Sequence, residues 1–224
     1  MTARPRLLDL FCCEGGAAMG YHRAGFDVYG VDIVAQPRYP FPFHQGDALK
    51  FLLEHHREFD AVHASPPCQA HTNAQRIRGN EHPDFIAATR ELLSLIDWRR
   101  RTTNGRPFLW VIENVPGAPL NDPFELCGCM FPGLGTYRPR LFETNRPIAH
   151  EVNHREHKAR VTKMGRPPVE GEFMHVVGNF SGVAQARQAM GMPWASRDGL
   201  REAIPPAYTE FIGTKLIEHL AVTA

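Results

Sequence analysis

The chain has 224 residues, a mass of 25.2 kDa and 43% hydrophobic residues, enough for one full-sized core and a small second lobe. Its formal charge of +1 excludes a global basic field, so contact with a polyanion has to come from a local patch. The five cysteines, Cys12, Cys13, Cys68, Cys127 and Cys129, form an odd set with no secretory leader pattern before them, and LLDLFCC is far shorter than the roughly 20 apolar residues that span a bilayer. A cytoplasmic protein with reduced thiols and no membrane attachment is expected.

In chain order, RLLDLFCC (6–13) is a short apolar run broken by Glu14-Gly15-Gly16, after which Ala17, Ala18, Met19, Tyr21 and His22 wind a helix that stops at Gly25. FDVYGVDI (26–33) is a second apolar run and ends in an acid. Asp47 closes a turn before the helical ALKFLLEHH, and FDAVHAS (59–65) opens another unit. Phe85, Ile86, Leu92, Leu93, Ile96 and Trp98 recur at helical spacing across 84–101, and FLWVIENV (108–115) is β-rich. Arg99-Arg100-Arg101 reads as a charged helix end, and Trp110 and Trp194 as packing residues.

This alternation predicts βαβ units and a parallel sheet covered on both faces. Ligands bind outside the carboxyl ends of such strands, and Asp9, Asp32, Asp47, Cys68 and Glu113 all fall near those ends. The glycine pair allows close backbone approach to a ligand, and Asp32 follows Gly16 at the distance of a ribose-gripping acid. The pattern is not GxGxxG, so no pyrophosphate is implied, and a plain tight turn is an equal reading.

ASPPCQAHT (64–72) is more specific. Two prolines hold the backbone extended ahead of Cys68 and present its thiol from a rigid turn. A nucleophilic cysteine acts as the thiolate and needs nearby cations, for which Arg76, Arg78, Arg138 and Arg140 are available. Taken alone, these residues leave a catalytic and a structural thiol both open.

In order, LDLFCCEGGAAMGYHRAGF, VYGVDI, QGDA, SPPCQ, ENV and YRPRLFE resemble the successive motifs of the DNA cytosine-5 methyltransferase family, in a small phage or actinobacterial type of member. The resemblance implies an α/β, Rossmann-like S-adenosylmethionine-dependent methyltransferase fold. It implies S-adenosylmethionine along Phe11, Gly15 and Gly16, its ribose held by Asp32 and its adenine met by Asp47. Asp9, Cys12, Ile33, Ala48 and Pro66 flank those positions as further cofactor contacts. Cys68 would be the nucleophile, Glu113 would meet the pyrimidine edge, and Arg140, with Arg138 beside it, would face the cytosine carbonyl. Three positions depart from the family pattern: Cys13 where glycine is usual, in a turn where a positive φ would strain a side chain, Thr136 for glutamine, and Glu202 for asparagine.

AHTNAQRIRGN (70–80) reads either as a loop closing over DNA through Arg76 and Arg78 or as an ordinary solvated loop. From residue 145 the chain turns polar and proline-interrupted, and 138–167 holds eight Lys or Arg against three Glu. Arg155, Lys158, Arg160 and Lys163 suit phosphate contacts, although a solvated insert has the same composition. The resemblance makes 145–194 a short target recognition lobe inserted in a catalytic domain of 1–144 plus 195–224, closed by the helix of PPAYTEFIGTKLIEHL. Cys127-Gly-Cys129 with His150, His154 and His157 matches no common zinc spacing, and no metal is expected. The expected activity is methylation of cytosine C5 in double-stranded DNA by a monomer. The alternatives are cytosine methylation in RNA and a noncatalytic DNA-binding relative.

Overall fold

The computed structural model describes residues 3–67, 85–105, 108–149, 154, 156–163 and 166–223. Seven strands, β1 (Arg6–Leu10), β2 (Asp27–Asp32), β3 (Phe43–Gln45), β4 (Ala61–Ala64), β5 (Leu109–Asn114), β6 (Phe124–Leu126) and β7 (Arg140–Thr144), form one sheet in the order β3-β2-β1-β4-β5-β7-β6. The first five run parallel, as the sequence alternation predicts; β7 and β6 depart from it. β7 lies antiparallel to both β5 and β6, with Glu113 opposite Phe142 and Asn114 opposite Leu141.

Helices α1 (Gly16–Ala24), α2 (Ala48–His55), α3 (Phe85–Asn104), α4 (Val183–Met190), α5 (Arg197–Glu202) and α6 (Pro206–Thr223) complete the fold. Their ends obey local chemistry. Gly25 stops α1 in the left-handed conformation with its N–H on the Tyr21 and His22 carbonyls, and the Asp47 carboxylate caps α2 by accepting from Lys50 N at 2.8 Å. Pro206 opens α6, where its missing N–H costs nothing. Among the described residues no helix is long and apolar enough to cross a membrane.

Side chains alternate across a strand, so the sheet divides the core by parity. Leu7, Val28, Ala61, Leu109 and Val111 pack under α1 and α6 with Tyr21, Tyr208, Ile212 and Leu216. Leu8, Val31, Val62, Trp110 and Ile112 face the other way, onto Leu52, Leu93 and Ile96 of α2 and α3. A third cluster joins Met174, Val176, Phe180, Ala186 and Met190 to Leu200 and Ala203, so apolar packing runs from residues 174–190 into α5 and the segment behind it. Arg100 donates to the Phe59 carbonyl at 2.7 Å, and Arg101 pairs with Asp97.

Gly20 marks where α1 and α6 come closest, because a Cβ there would strike the Pro206 carbonyl and Thr209 Oγ1. Gly20→Ala is therefore expected to lower unfolding free energy by about 1–3 kcal/mol in urea titrations, whereas an unchanged midpoint would mean the two helices have room to spare.

Candidate active site

The order of strands reverses between β1 and β4, and a crevice opens there at the carboxyl edge of the sheet. Asp9, Asp32, His63 and Glu113 share the parity of Leu7, Val28, Ala61 and Val111, so these polar groups all lie on the α1 and α6 side. Because β7 is antiparallel, its first residue stands at the edge where the parallel strands end, which brings Arg140 to Glu113. The resulting cavity has a volume of about 370 Å³; Asp9, Phe11, Cys13, Asp32, Pro66 and Glu113 are among the residues that line it.

The turn after β1 is built on left-handed residues: Phe11 at φ 57°, Cys13 at φ 44° and Gly15 at φ 79°. Only the last is free of Cβ strain. The positive φ anticipated at Cys13 is present, and Asp32 holds the strained turn. One Asp32 oxygen accepts from Cys13 N and the other from Val34 N, each at 3.0 Å. Cys13 Sγ in turn lies 3.7 Å from Glu202 Oε2, so two of the three positions that depart from the family motifs meet across the cavity.

Burial raises the Asp9 pKa well above the usual carboxylate range, against the opposing pull of the Tyr39 hydroxyl at 3.4 Å. Gly30 makes room for that tyrosine, since a Cβ there would strike its ring. Asp9 Oδ1 has no hydrogen-bond partner among the described residues. Glu113 is also buried and its pKa raised by burial, although Arg140, Ser65 and Arg138 pull it back. Arg140 Nε lies 3.0 Å from Glu113 Oε1. Burial pushes the Cys12 and Cys13 thiols up, so both stay protonated and neither supplies a thiolate.

Behind Glu113 runs a buried chain. Tyr21 Oη lies 3.0 Å from His63 Nδ1, His63 Nε2 lies 2.9 Å from Ser65 Oγ, and Ser65 reaches Glu113. When Glu113 is ionised it only accepts, so Ser65 donates to it, His63 Nε2–H donates to Ser65, and Tyr21 donates to Nδ1.

A second cavity, of about 790 Å³, adjoins the first and shares Val115 and Arg140 with it; Tyr137, His157, Lys163 and Val176 form other parts of its wall. Arg138 also borders it, but its guanidinium is turned inward. It donates to the carbonyls of Ala203 at 2.5 Å, Val176 at 2.8 Å and Arg201 at 2.6 Å, tying Val176 to the end of α5 and the residue after it. Lys158, Arg160 and Lys163 are exposed.

Of the cofactor positions read from the sequence, Asp9, Phe11, Cys12, Gly16, Asp32, Ile33 and Pro66 line the smaller cavity, together with Glu113 and Arg140. Gly15 instead faces Tyr39 and Pro40, Asp47 serves as the α2 cap, and Ala48 is packed in the core. Cys68, Arg76, Arg78 and Arg155 lie outside the described residues. Cys127, Cys129, His154 and His157 converge, with their donor atoms all within 4.8 Å of one another. Sequence reasoning missed His63 and Tyr21, whose pairing joins α1 to β4, and Glu14, whose carboxylate accepts from Ser196 N and Oγ, each at 2.6 Å. For His63 the sequence signal was a polar residue within the apolar run FDAVHAS.

Three solved structures resemble the chain across its length. An E. coli prophage-encoded protein described as a candidate DNA modification methyltransferase aligns at 14% identity with a TM-score of 0.63, covering 97% of this chain and 99% of its own. The Dnmt2 methyltransferase of S. pombe gives 14% identity and 0.61 over the same shares, and the Entamoeba histolytica methyltransferase EhMeth gives 12% and 0.52 over 98% of both chains. The chain has a methyltransferase fold. No protein-family profile and no curated protein matches it at the sequence level.

Within this methyltransferase fold, burial pushes the His63 pKa from 6.5 down to about 3. As pH drops from 6.5 towards 3 the unfolded imidazole takes up a proton that the folded one refuses, so this residue's contribution to stability falls across that window. In nitrogen-resolved NMR His63 should remain neutral from pH 8 to 5. A His63 midpoint near 6.5 would contradict its burial.

Proposed function

We propose that the protein transfers a methyl group from S-adenosylmethionine to C5 of a flipped-out cytosine in DNA, with Cys68 as the nucleophile. The observation that carries this reading is the Glu113–Arg140 pair, buried at the edge of a cavity that also holds Asp32 and leads directly into Ser65-Pro66-Pro67, the residues before Cys68.

The residues of the smaller cavity fit the cofactor. Each Asp32 oxygen accepts one backbone N–H and keeps a lone pair for a ribose hydroxyl. Asp9 Oδ1 is a buried oxygen in want of a donor, which the cofactor's ammonium group would supply. Ile33, 67% exposed, offers an apolar edge beside Asp32 for a purine face. When bound, S-adenosylmethionine supplies an electrophilic sulfonium methyl group.

The protein's part is to make a poor carbon nucleophile reactive. Addition of the Cys68 thiolate to C6 places negative charge on the pyrimidine and makes C5 electron-rich. Glu113, whose raised pKa favours holding a proton, donates towards N3, and Arg140 stabilises the developing charge at O2. Once C5 carries the methyl group, loss of its proton and expulsion of the thiolate restore the ring. Attack on C6 needs access to the ring face, so the base leaves the stack at a cost of a few kcal/mol. The larger cavity, with Lys163 in its wall, is its route in, and exposed Lys158 and Arg160 suit phosphate contacts. Arg138 acts as a positioning residue that fixes the approach to Arg140.

Methyl transfer to duplex DNA, duplex RNA and transfer RNA in competition tests the substrate, and DNA is expected to prevail; preference for RNA would favour the alternative cytosine methyltransferase. Cys68→Ala should lower turnover by at least about a thousandfold with cofactor affinity retained. Unchanged turnover would remove the nucleophile assignment. Asp32→Asn should weaken cofactor binding about 10- to 100-fold by calorimetry, and an unaltered Kd would show that the ribose is held elsewhere.

A further inference from the structure

Cys127 follows β6 and stands at the head of a single helical turn, Gly128–Met130, that carries Cys129. Gly128 presses so closely on the Thr136 carbonyl that a side chain there would collide with it, and its own N–H bonds the Tyr137 carbonyl at 2.6 Å. This tight turn is what lets residues two apart aim both sulfurs at one point. From beyond β7 in the chain, His154 and His157 reach the same point. Cys127 Sγ lies 3.3 Å from His157 Nε2, Cys129 Sγ lies 3.8 Å from His154 Nε2, and the four donor atoms all fall within 4.8 Å of one another.

We propose that Cys127, Cys129, His154 and His157 form a tetrahedral zinc site that fastens the insert to the β6–β7 hairpin. Zinc bonds sulfur at about 2.3 Å and imidazole nitrogen at about 2.0–2.1 Å, so the edges of such a tetrahedron measure about 3.3–3.8 Å. The two closest sulfur–nitrogen pairs already stand at that separation. Two thiolates and two imidazoles are the donor set of structural zinc rather than of magnesium or calcium.

The surroundings suit a bound thiolate. The Met130 backbone N–H points at Cys127 Sγ, as does that of Cys129, and such donors stabilise a metal-bound sulfur. The His157 ring stacks on Tyr137 with centroids 3.8 Å apart and planes 20° from parallel, which fixes its direction. The Glu125 carboxylate, 3.5 Å from His154 Nε2, adds negative charge beside the cation. On binding, both thiols release their protons to solvent, and Cys127 gives up its contact of 3.1 Å with the Tyr137 carbonyl. His157 and Tyr137 both line the larger cavity, so the metal would set one wall of the space that leads to Arg140.

The test needs neither DNA nor methyl donor, so its outcome is separate from that of the proposed reaction. The full chain, purified without chelators from zinc-supplemented cells, should carry one zinc by mass spectrometry and release it on thiol modification. With cobalt(II) in place of zinc it should show the intense visible bands and thiolate charge transfer of a tetrahedral site. Cys129→Ser should reduce zinc content at least tenfold. His154→Ala changes an exposed residue, cannot act through loss of core packing, and should weaken zinc at least tenfold against a chromophoric chelator. Wild-type protein with less than a tenth of a zinc per chain, or a cobalt spectrum lacking thiolate bands, would overturn the proposal. So would unchanged affinity in the His154 variant.

Discussion

The ion pair between Glu113 and Arg140 depends on the direction of one strand. Had β7 entered the sheet parallel to β5, its first residue would stand at the amino edge, a strand length away from the crevice. Running antiparallel, it delivers a guanidinium to the last turns of β5 and compensates a carboxylate that burial would otherwise force neutral. The pair is not fully self-cancelling: burial still keeps the Glu113 pKa raised, which suits the proton-holding role proposed for it. Ser65, His63 and Tyr21 then set its orientation from behind, and none of them titrates near neutrality while folded.

A small set of buried and part-buried contacts closes the wall opposite this pair. Glu14 leaves the strained turn after β1 and holds the start of α5, where Gly199 is required because a side chain would strike its carboxylate. Trp194 Nε1 adds a bond of 2.7 Å to the Glu14 carbonyl. Arg138 binds the end of α5 and Ala203 and also reaches the Val176 carbonyl. Removing any of these anchors would leave buried charge or carbonyl groups unpaired, which costs more than the bonds themselves contribute. The contact between Cys13 Sγ and Glu202 Oε2, at 3.7 Å, belongs to this closure.

Much of this was legible in the sequence. The strands and helices of the first half follow from period-two and helical patterns ended by glycine or proline, and the acids that end β2 and approach the end of β5 marked the edge where the smaller cavity opens. What escaped had partners distant in the chain. The pattern of YRPRLFE is the same whichever way the strand runs, so the antiparallel β7 left no trace in it. Arg138 looks available until its carbonyl partners, 38 to 65 residues away, are brought in. The capping of α2 by Asp47 is local, three residues before Lys50. The Cys127 and His157 pairing spans 30 residues, and C-x-C is an unusual spacing made possible here by a glycine pressed against a carbonyl.

The central claim is that a thiolate from residue 68 bonds to cytosine C6 beside Glu113 and Arg140. The most direct measurement is covalent capture on duplex DNA containing 5-fluorocytosine in the presence of S-adenosylmethionine, followed by peptide mass spectrometry. Fluorine at C5 cannot leave as a proton does, so the account predicts a stable adduct of methylated oligonucleotide on Cys68 that forms only with cofactor. Cofactor-dependent methylation of ordinary duplex without any such adduct, or an adduct carried by another cysteine, would contradict it.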